Sequence, residues 1–498
     1  MVKKIVRKCL SIPLKIENRI YRQSVNTKFY EDIKDRMDSI PSSNGCRFYK
    51  KINRKIGIIC DPFLYESYKN CCDLVYITPD NYLEVISDID ILLITSVWHG
   101  LNHEWDNIYH IGSKNHSCLK EIKKLVNKKG IPIAFYSKED PPNFDIFKNL
   151  AEGVTVIFTS AVECIERYEE VFPCIPCYYL PFAINPFIHN PIGMFCEKYT
   201  NYAFFAGSWM NKYPIRTKEQ TDIFDWFLKS NWKLAIADRN YSRENRNYYY
   251  PHKYRKYILP DFAYSDIAKL YKLFPMIINL NSVYNSRTMF AARVYDASAS
   301  GSMIISNHSV GMEELFPDVN VIDSLEDLFK TLQYKQSDID RIRLNAVRRA
   351  YSLPTVYDVI STIVSKTIAD NEKKDKPSVL VIANKTNKTI SDFEGQSFAN
   401  KRIVFEDDVD VDVADYEMVA FWDDKYRYDT NYLEDMINAF KYTNSDYITK
   451  RLDGERHVYA DNIIDKSLSV FWTASYSVSD IVSFPAKRIE LKNGYVSD

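Results

Sequence analysis

The sequence predicts an α/β protein: two Rossmann-like domains followed by a smaller α/β C-terminal domain. Three observations carry the prediction. Short apolar runs alternate with helical or loop segments from about 52 to 185, the same alternation returns from 202 to 316, and a separate strand-first block opens at Ser378 after a charged stretch. A chain of 498 residues is also too long for one core, given roughly 150 residues per domain. The expected division is a basic segment (1–50), two Rossmann-like domains (51–190 and 191–370) and the C-terminal domain (378–498).

In the first block, strands are expected at Lys55–Cys60, Leu74–Ile77, Ile89–Thr95, Ile131–Phe135 and Val154–Thr159, with a helix over Ser117–Lys129. Ligands on a parallel sheet sit beyond the carboxyl ends of its strands. The loops to inspect are therefore Asp61-Pro62, the run 96–105 with His99 and His103, and the run 137–142 with Glu139 and Asp140. The Pro- and Asn-rich stretch 181–200 reads as a hinge. Beyond it come a strand at Tyr202–Ala206 ending in Gly207-Ser208, a helix at Arg216–Ser230, a strand at Lys233–Ala237 and a helix at Asp266–Leu273.

Residues 278–316 read as strand, polar loop, helix, glycine and strand. Ser286 is placed to cap a helix that runs to about Ser300 and ends at Gly301. Such a turn presents free N–H groups, and Arg287 adds a cation for a phosphate. Arg293 and Asp296 share one helical face. They are placed either to meet a nucleotide diphosphate and its ribose, or to pair with each other on a solvated surface.

Charge excludes some classes. Lys plus Arg is 65 and Asp plus Glu is 66, so nothing drives the chain as a whole toward nucleic acid. All ten cysteines precede residue 200, and the lone Cys174-Ile-Pro-Cys177 lacks the second pair that a zinc site requires. His99 and His103 have a ligand-like spacing on a helix, but Gly100 and Asn102 oppose a helix there, so no metal site is expected. No run has the ~18 apolar residues of a membrane helix. Residues 1–22 interleave seven basic residues and Glu17 with isoleucine, leucine and valine. That pattern suits either a peripheral helix on an anionic cytoplasmic leaflet or a lead-in helix packed on the first domain.

The stretches KEDPPNFDIFKNLAEGVTVIFTSAVECIERY, LPFAINPFIHNP, FFAGSW and NLNSVYNSRTMFAARVYDASASGSMII occur in the order found in CgeB-like glycosyltransferases, which this chain resembles over about residues 55–360. The resemblance implies a GT-B arrangement, with an acceptor domain followed by a nucleotide-sugar donor domain. It implies that Gly207, Ser208, Arg216, Asn281, Ser286, Arg287, Thr288, Arg293 and Gly301 form the donor site, with Asp296 on the ribose. It further implies a base from the first domain: Asp140 as first choice, then Glu139 and His99. Leaving-group stabilisation in such enzymes comes from helix dipoles and basic residues, without a metal.

The C-terminal FWDDKYRYDTNYLEDMINAFKYTNSDYITK resembles the Asp-x-Asp region of a GT-A glycosyltransferase. In so short a block it is expected to be a degenerate accessory or oligomerisation module, requiring Mn²⁺ or Mg²⁺ only if active. The function this implies is transfer of a sugar, expected to be a hexose, from a nucleotide-diphosphate sugar to a bacterial cell-surface glycopolymer (teichoic acid, capsule or lipopolysaccharide), at the cytoplasmic face of the membrane. Thr288 and Asp296 stand where the family's pattern has glutamate. They also fit a weak or inactive nucleotide-binding scaffold.

Overall fold

The computed structural model describes residues 16–22, 25–194, 198–243, 245–369, 377–406, 412–452, 454–476 and 493–497. The chain divides into two compact units, and the larger holds both Rossmann-like lobes. In the first lobe, β1 (Ile52–Ile59), β2 (Cys72–Tyr76), β3 (Ile91–Thr95), β4 (Ile133–Ser137), β5 (Val156–Thr159) and β6 (Cys177–Tyr179) form one parallel sheet in the order β2-β1-β3-β4-β5-β6. β3 and β4 are buried at every position, which is why they read as continuous apolar runs and not as alternating ones. The Cys174/Cys177 pair proves to be the lead-in to β6, and the described cysteines form no disulfide among themselves.

The second lobe is also parallel, with β7 (Tyr202–Gly207), β8 (Lys233–Asp238), β9 (Ile258–Leu259), β10 (Met276–Asn279), β11 (Met303–Ser306) and β12 (Asn320–Val321) in the order β12-β11-β10-β7-β8-β9. Successive strands leave β7 toward β9 and then resume on its other side at β10. The strand order therefore switches between β7 and β10, where parallel sheets place their ligands. The helix Val356–Ile368, expected in the second domain, instead packs against β1, β4 and the helix Pro62–Tyr68 of the first lobe.

Two expectations change. The helix expected from Ser286 begins only at Arg293 and runs to Ala299. Ser286 Oγ accepts the N–H groups of Thr288 and Met289, and Asn281 Oδ1 accepts that of Ala291, so side chains hold residues 281–292 as a loop. At the N-terminus, residues 1–15 lie outside the described residues, and the helical residues 16–22 pack on the second lobe, not the first. Tyr21 is fully buried there, stacked on Tyr249 at 4.5 Å and donating to Asp238 Oδ2 at 2.8 Å. No helix among the described residues is long and apolar enough to cross a membrane.

The smaller unit contains residues 377–497 as described, together with 41–51 and 186–194, so the N-terminal and hinge boundaries expected above both shift. Its mixed sheet comprises β13 (Val379–Ala383), β14 (Lys401–Phe405), β15 (Met418–Trp422), β16 (Tyr447–Thr449), β17 (Val458–Ala460), β18 (Ser469–Trp472) and β19 (Gly494–Val496), in the order β14-β13-β15-β18-β16-β19-β17. Leu380, Val419, Phe421, Tyr447 and Phe471 form its core.

Candidate functional site

The carboxyl edges of the two parallel sheets face each other. Thr288, after β10, donates to the Ser160 carbonyl and accepts the Val162 N–H, both after β5, each at 3.1 Å. Phe63, after β1, meets Tyr264 edge-on at 5.2 Å. Glu139, after β4, lies within electrostatic reach of Arg239, after β8.

Three arginines converge at the switch point of the second sheet. Arg293, from the first position of its helix, reaches back to the Ala206 carbonyl on β7 and to Asn279 Oδ1 on β10 (3.2 Å), bridging the two strands. Gly207 leaves room first for the Phe205 ring, which a Cβ there would meet at 2.6 Å, and then for Arg293 Nη2 at 3.2 Å. Arg216 donates through Nη1 to the Ser208 carbonyl (3.4 Å) and to Gln220 Oε1 (3.2 Å). Arg239 donates through Nε to Ser208 Oγ (3.3 Å), so Ser208 ties two of the three together.

None of the three guanidinium groups makes an ion pair among the described residues. Burial pushes Arg216 down to about 10, and the nearby Arg293 and Arg239 act in the same direction. Arg239 is open to solvent yet crowded on most sides, as a residue on a cleft wall is. That crowding and the charge of Arg293 hold it below the ordinary arginine value. Like charges gathered without a carboxylate partner are costly unless an anion joins them. The arrangement is that of a site for a multiply charged anion such as a diphosphate.

Asp296, one turn after Arg293, is buried, and burial pushes its carboxyl up to about 7 against the opposing effects of the Tyr264 hydroxyl (3.2 Å) and of Arg293. The alternative of a solvated surface pair for Arg293 and Asp296 does not hold, because Asp296 is buried. Arg216 is buried as well, and Glu219, one turn along its helix, accepts from Tyr284 and Asn307, both at 2.8 Å. Other expected donor residues do different work. Arg287 is exposed and lies beside Glu314 at 3.5 Å. Ser286 and Asn281 hold the loop, Thr288 ties the lobes, and Gly301 ends its helix at φ 72° while its carbonyl accepts Arg343 Nε.

Among the expected bases, Asp140 is wholly buried. It accepts the Thr159 hydroxyl at 2.7 Å, and burial pushes it up to about 6, so it is shut away from an acceptor hydroxyl. Glu139 is partly exposed, held by Lys138 Nζ and Asn143 Nδ2, both at 3.0 Å. His99 Nδ1 lies 2.6 Å from Asp106 Oδ1. Sequence reading missed Arg239 and Asp106. The signal available for Arg239 was a basic residue immediately after a strand that neighbours the switch strand.

In the smaller unit, Asp423 of the Asp-x-Asp-like stretch and Asp465 share a lysine. Lys425 Nζ lies 2.7 Å from Asp465 and 3.7 Å from Asp423, so an ammonium already stands between the carboxylates. Most of the acidic loop 406–412 lies outside the described residues.

Fold and site together define an α/β protein with two Rossmann-like lobes in the GT-B plan and an edge on the second where three arginines gather. A family model described as glycosyl transferase-like matches residues 227–355, a span that contains Arg239, Arg293 and Asp296. A comparison with curated protein sequences finds no match. Among solved structures, the chain is similar to an alpha-glucosyltransferase in complex with UDP and a 13-mer DNA (13% identity, 64% of this chain and 100% of that one, TM-score 0.44). It is also similar to an alpha,alpha-trehalose-phosphate synthase (UDP-forming) from Burkholderia vietnamiensis (6% identity, 64% and 98%, TM-score 0.43). Likeness this slight carries no argument about activity.

Proposed function

We propose that the protein transfers a sugar from a nucleotide-diphosphate sugar to a cell-surface glycopolymer acceptor of the teichoic acid, capsule or lipopolysaccharide type. The observation that carries the reading is the trio Arg216, Arg239 and Arg293 at the strand-order switch, without an ion-pair partner among the described residues. In this reading the trio holds the diphosphate and stabilises the charge that grows on it as the glycosidic bond to phosphate breaks. Asp296 takes the ribose side. Glu139, on the opposing lobe, receives the proton of the acceptor hydroxyl. The acceptor class and a place at the cytoplasmic face of the membrane rest on the resemblance and on the basic residues of 1–22.

The test is calorimetry with UDP-, GDP-, CDP- and TDP-sugars, followed by release of free nucleotide in the presence of glycan acceptors. One nucleotide class should bind and turn over. If no member of the panel binds, the enzyme reading fails; binding without turnover on any acceptor favours the scaffold reading that Thr288, spent on tying the lobes, also suits.

A further inference from the structure

The loop that follows β3 is built more firmly than a connection needs. The Asp61 carboxylate accepts the N–H groups of Trp98, His99 and Gly100, at 3.0 Å for each. Glu104 accepts those of Leu101 and Asn102, and Asn115 Nδ2 donates to the carbonyls of Glu104 and Asp106, both at 2.9 Å. Trp105 is buried beneath, its Nε1 donating to the Ile77 carbonyl at 2.9 Å. Gly100 (φ 80°) and His103 (φ 68°) bend the backbone in the left-handed region, which for histidine marks an uncommon and fixed conformation.

These bends bring together what helical spacing would have. Nδ1 of His99 and Nδ1 of His103 lie 2.6 and 3.2 Å from the same atom, Asp106 Oδ1, and the three ligand atoms all fall within 4.8 Å of one another. The three side chains are 41%, 61% and 44% exposed, so an ion reaches them from solvent without any opening of the fold. Two imidazole nitrogens and a carboxylate oxygen are the donor set of a zinc-type ion, and modest rotation of the exposed rings brings the atoms to ligand distances of about 2.0–2.2 Å. Three protein ligands with a free position are the pattern of a reactive site, not of a structural one.

We propose that His99, His103 and Asp106 form a binding site for a divalent transition-metal ion of the zinc class, with a coordination position open to an oxygen ligand. Asp61 joins this loop to the rest of the carboxyl edge, because its carboxylate also meets Lys138 Nζ at 3.4 Å, and Lys138 in turn pairs with Glu139. Metal binding itself does not depend on the transferase reading. If that reading also holds, the ion lies on the acceptor lobe, where it would orient an acceptor hydroxyl and lower its pKa.

The experiment uses the full chain, stripped with chelator and titrated with Co²⁺ and then Zn²⁺. One equivalent of Co²⁺ should bind with the visible bands of a four- or five-coordinate nitrogen and oxygen site, and Zn²⁺ should displace it. His103→Ala and Asp106→Asn should each weaken binding by about 100-fold. Circular dichroism and the urea midpoint of metal-free His103→Ala should match those of metal-free wild type, which shows that the variant is folded. Three outcomes overturn the proposal: no stoichiometric uptake by folded wild type, equal uptake by both variants, or a thiolate-to-cobalt charge-transfer band that assigns the ion to the cysteines.

Discussion

Asp296 shows how position changes the chemistry of a residue whose type was readable. Its carboxyl, pushed up to about 7 by burial, keeps a proton in the folded state that the unfolded chain has released above the ordinary carboxylate value. Protons bound by the native state alone make stability fall as pH rises through that window and level off above it. Asp140 and Asp238, both at about 6, act in the same direction at lower pH, so between pH 6 and 7 the decline belongs chiefly to Asp296. Urea midpoints across pH 5–8 should therefore fall for wild type, and Asp296→Asn should flatten the final part of the fall by about 1 kcal/mol per pH unit. Parallel slopes for the two proteins would disprove the assignment. Arg293 and Asp296 were legible because i,i+3 spacing fixes a shared face. The burial of Asp140 was not, since a loop sequence gives no sign of which side chain turns inward.

At the scale of elements, β3 and β4 announced themselves through unbroken apolar runs, and Gly301 marked the end of its helix. The start of that helix was misread because Ser286 is as good a loop acceptor as it is a cap, and only the partners Thr288 and Met289 decide between the two. Gly301 was expected at the donor site but serves the helix end. Its φ of 72° implies that Gly301→Ala should cost about 1–2 kcal/mol in chemical denaturation and leave nucleotide affinity unchanged. A loss of affinity with little loss of stability would return it to the site. The helix at 16–22 was readable as amphipathic, but its surface was not: Tyr21 finds Tyr249 and Asp238 more than 200 residues away in sequence.

For the whole molecule, the alternation of strands and helices gave the two parallel sheets, while strand order supplied what the sequence lacked. The reversal between β7 and β10 marks the edge at which a parallel sheet of this order places a ligand, and three arginines from separate parts of the chain meet there. Arg239 was invisible in sequence because its significance lies in the neighbours that folding gives it. The direct measurement is the affinity of nucleoside diphosphates relative to the matching monophosphates, in wild type and in Arg239→Ala, at fixed salt. Wild type should favour the diphosphate of its preferred base by about tenfold or more, and Arg239→Ala should erase most of that preference, as loss of a charge-assisted contact of roughly 1.5–3 kcal/mol requires. Equal affinity for the two phosphates, or a preference untouched by Arg239→Ala and by Arg293→Ala alike, would contradict a diphosphate site at this edge.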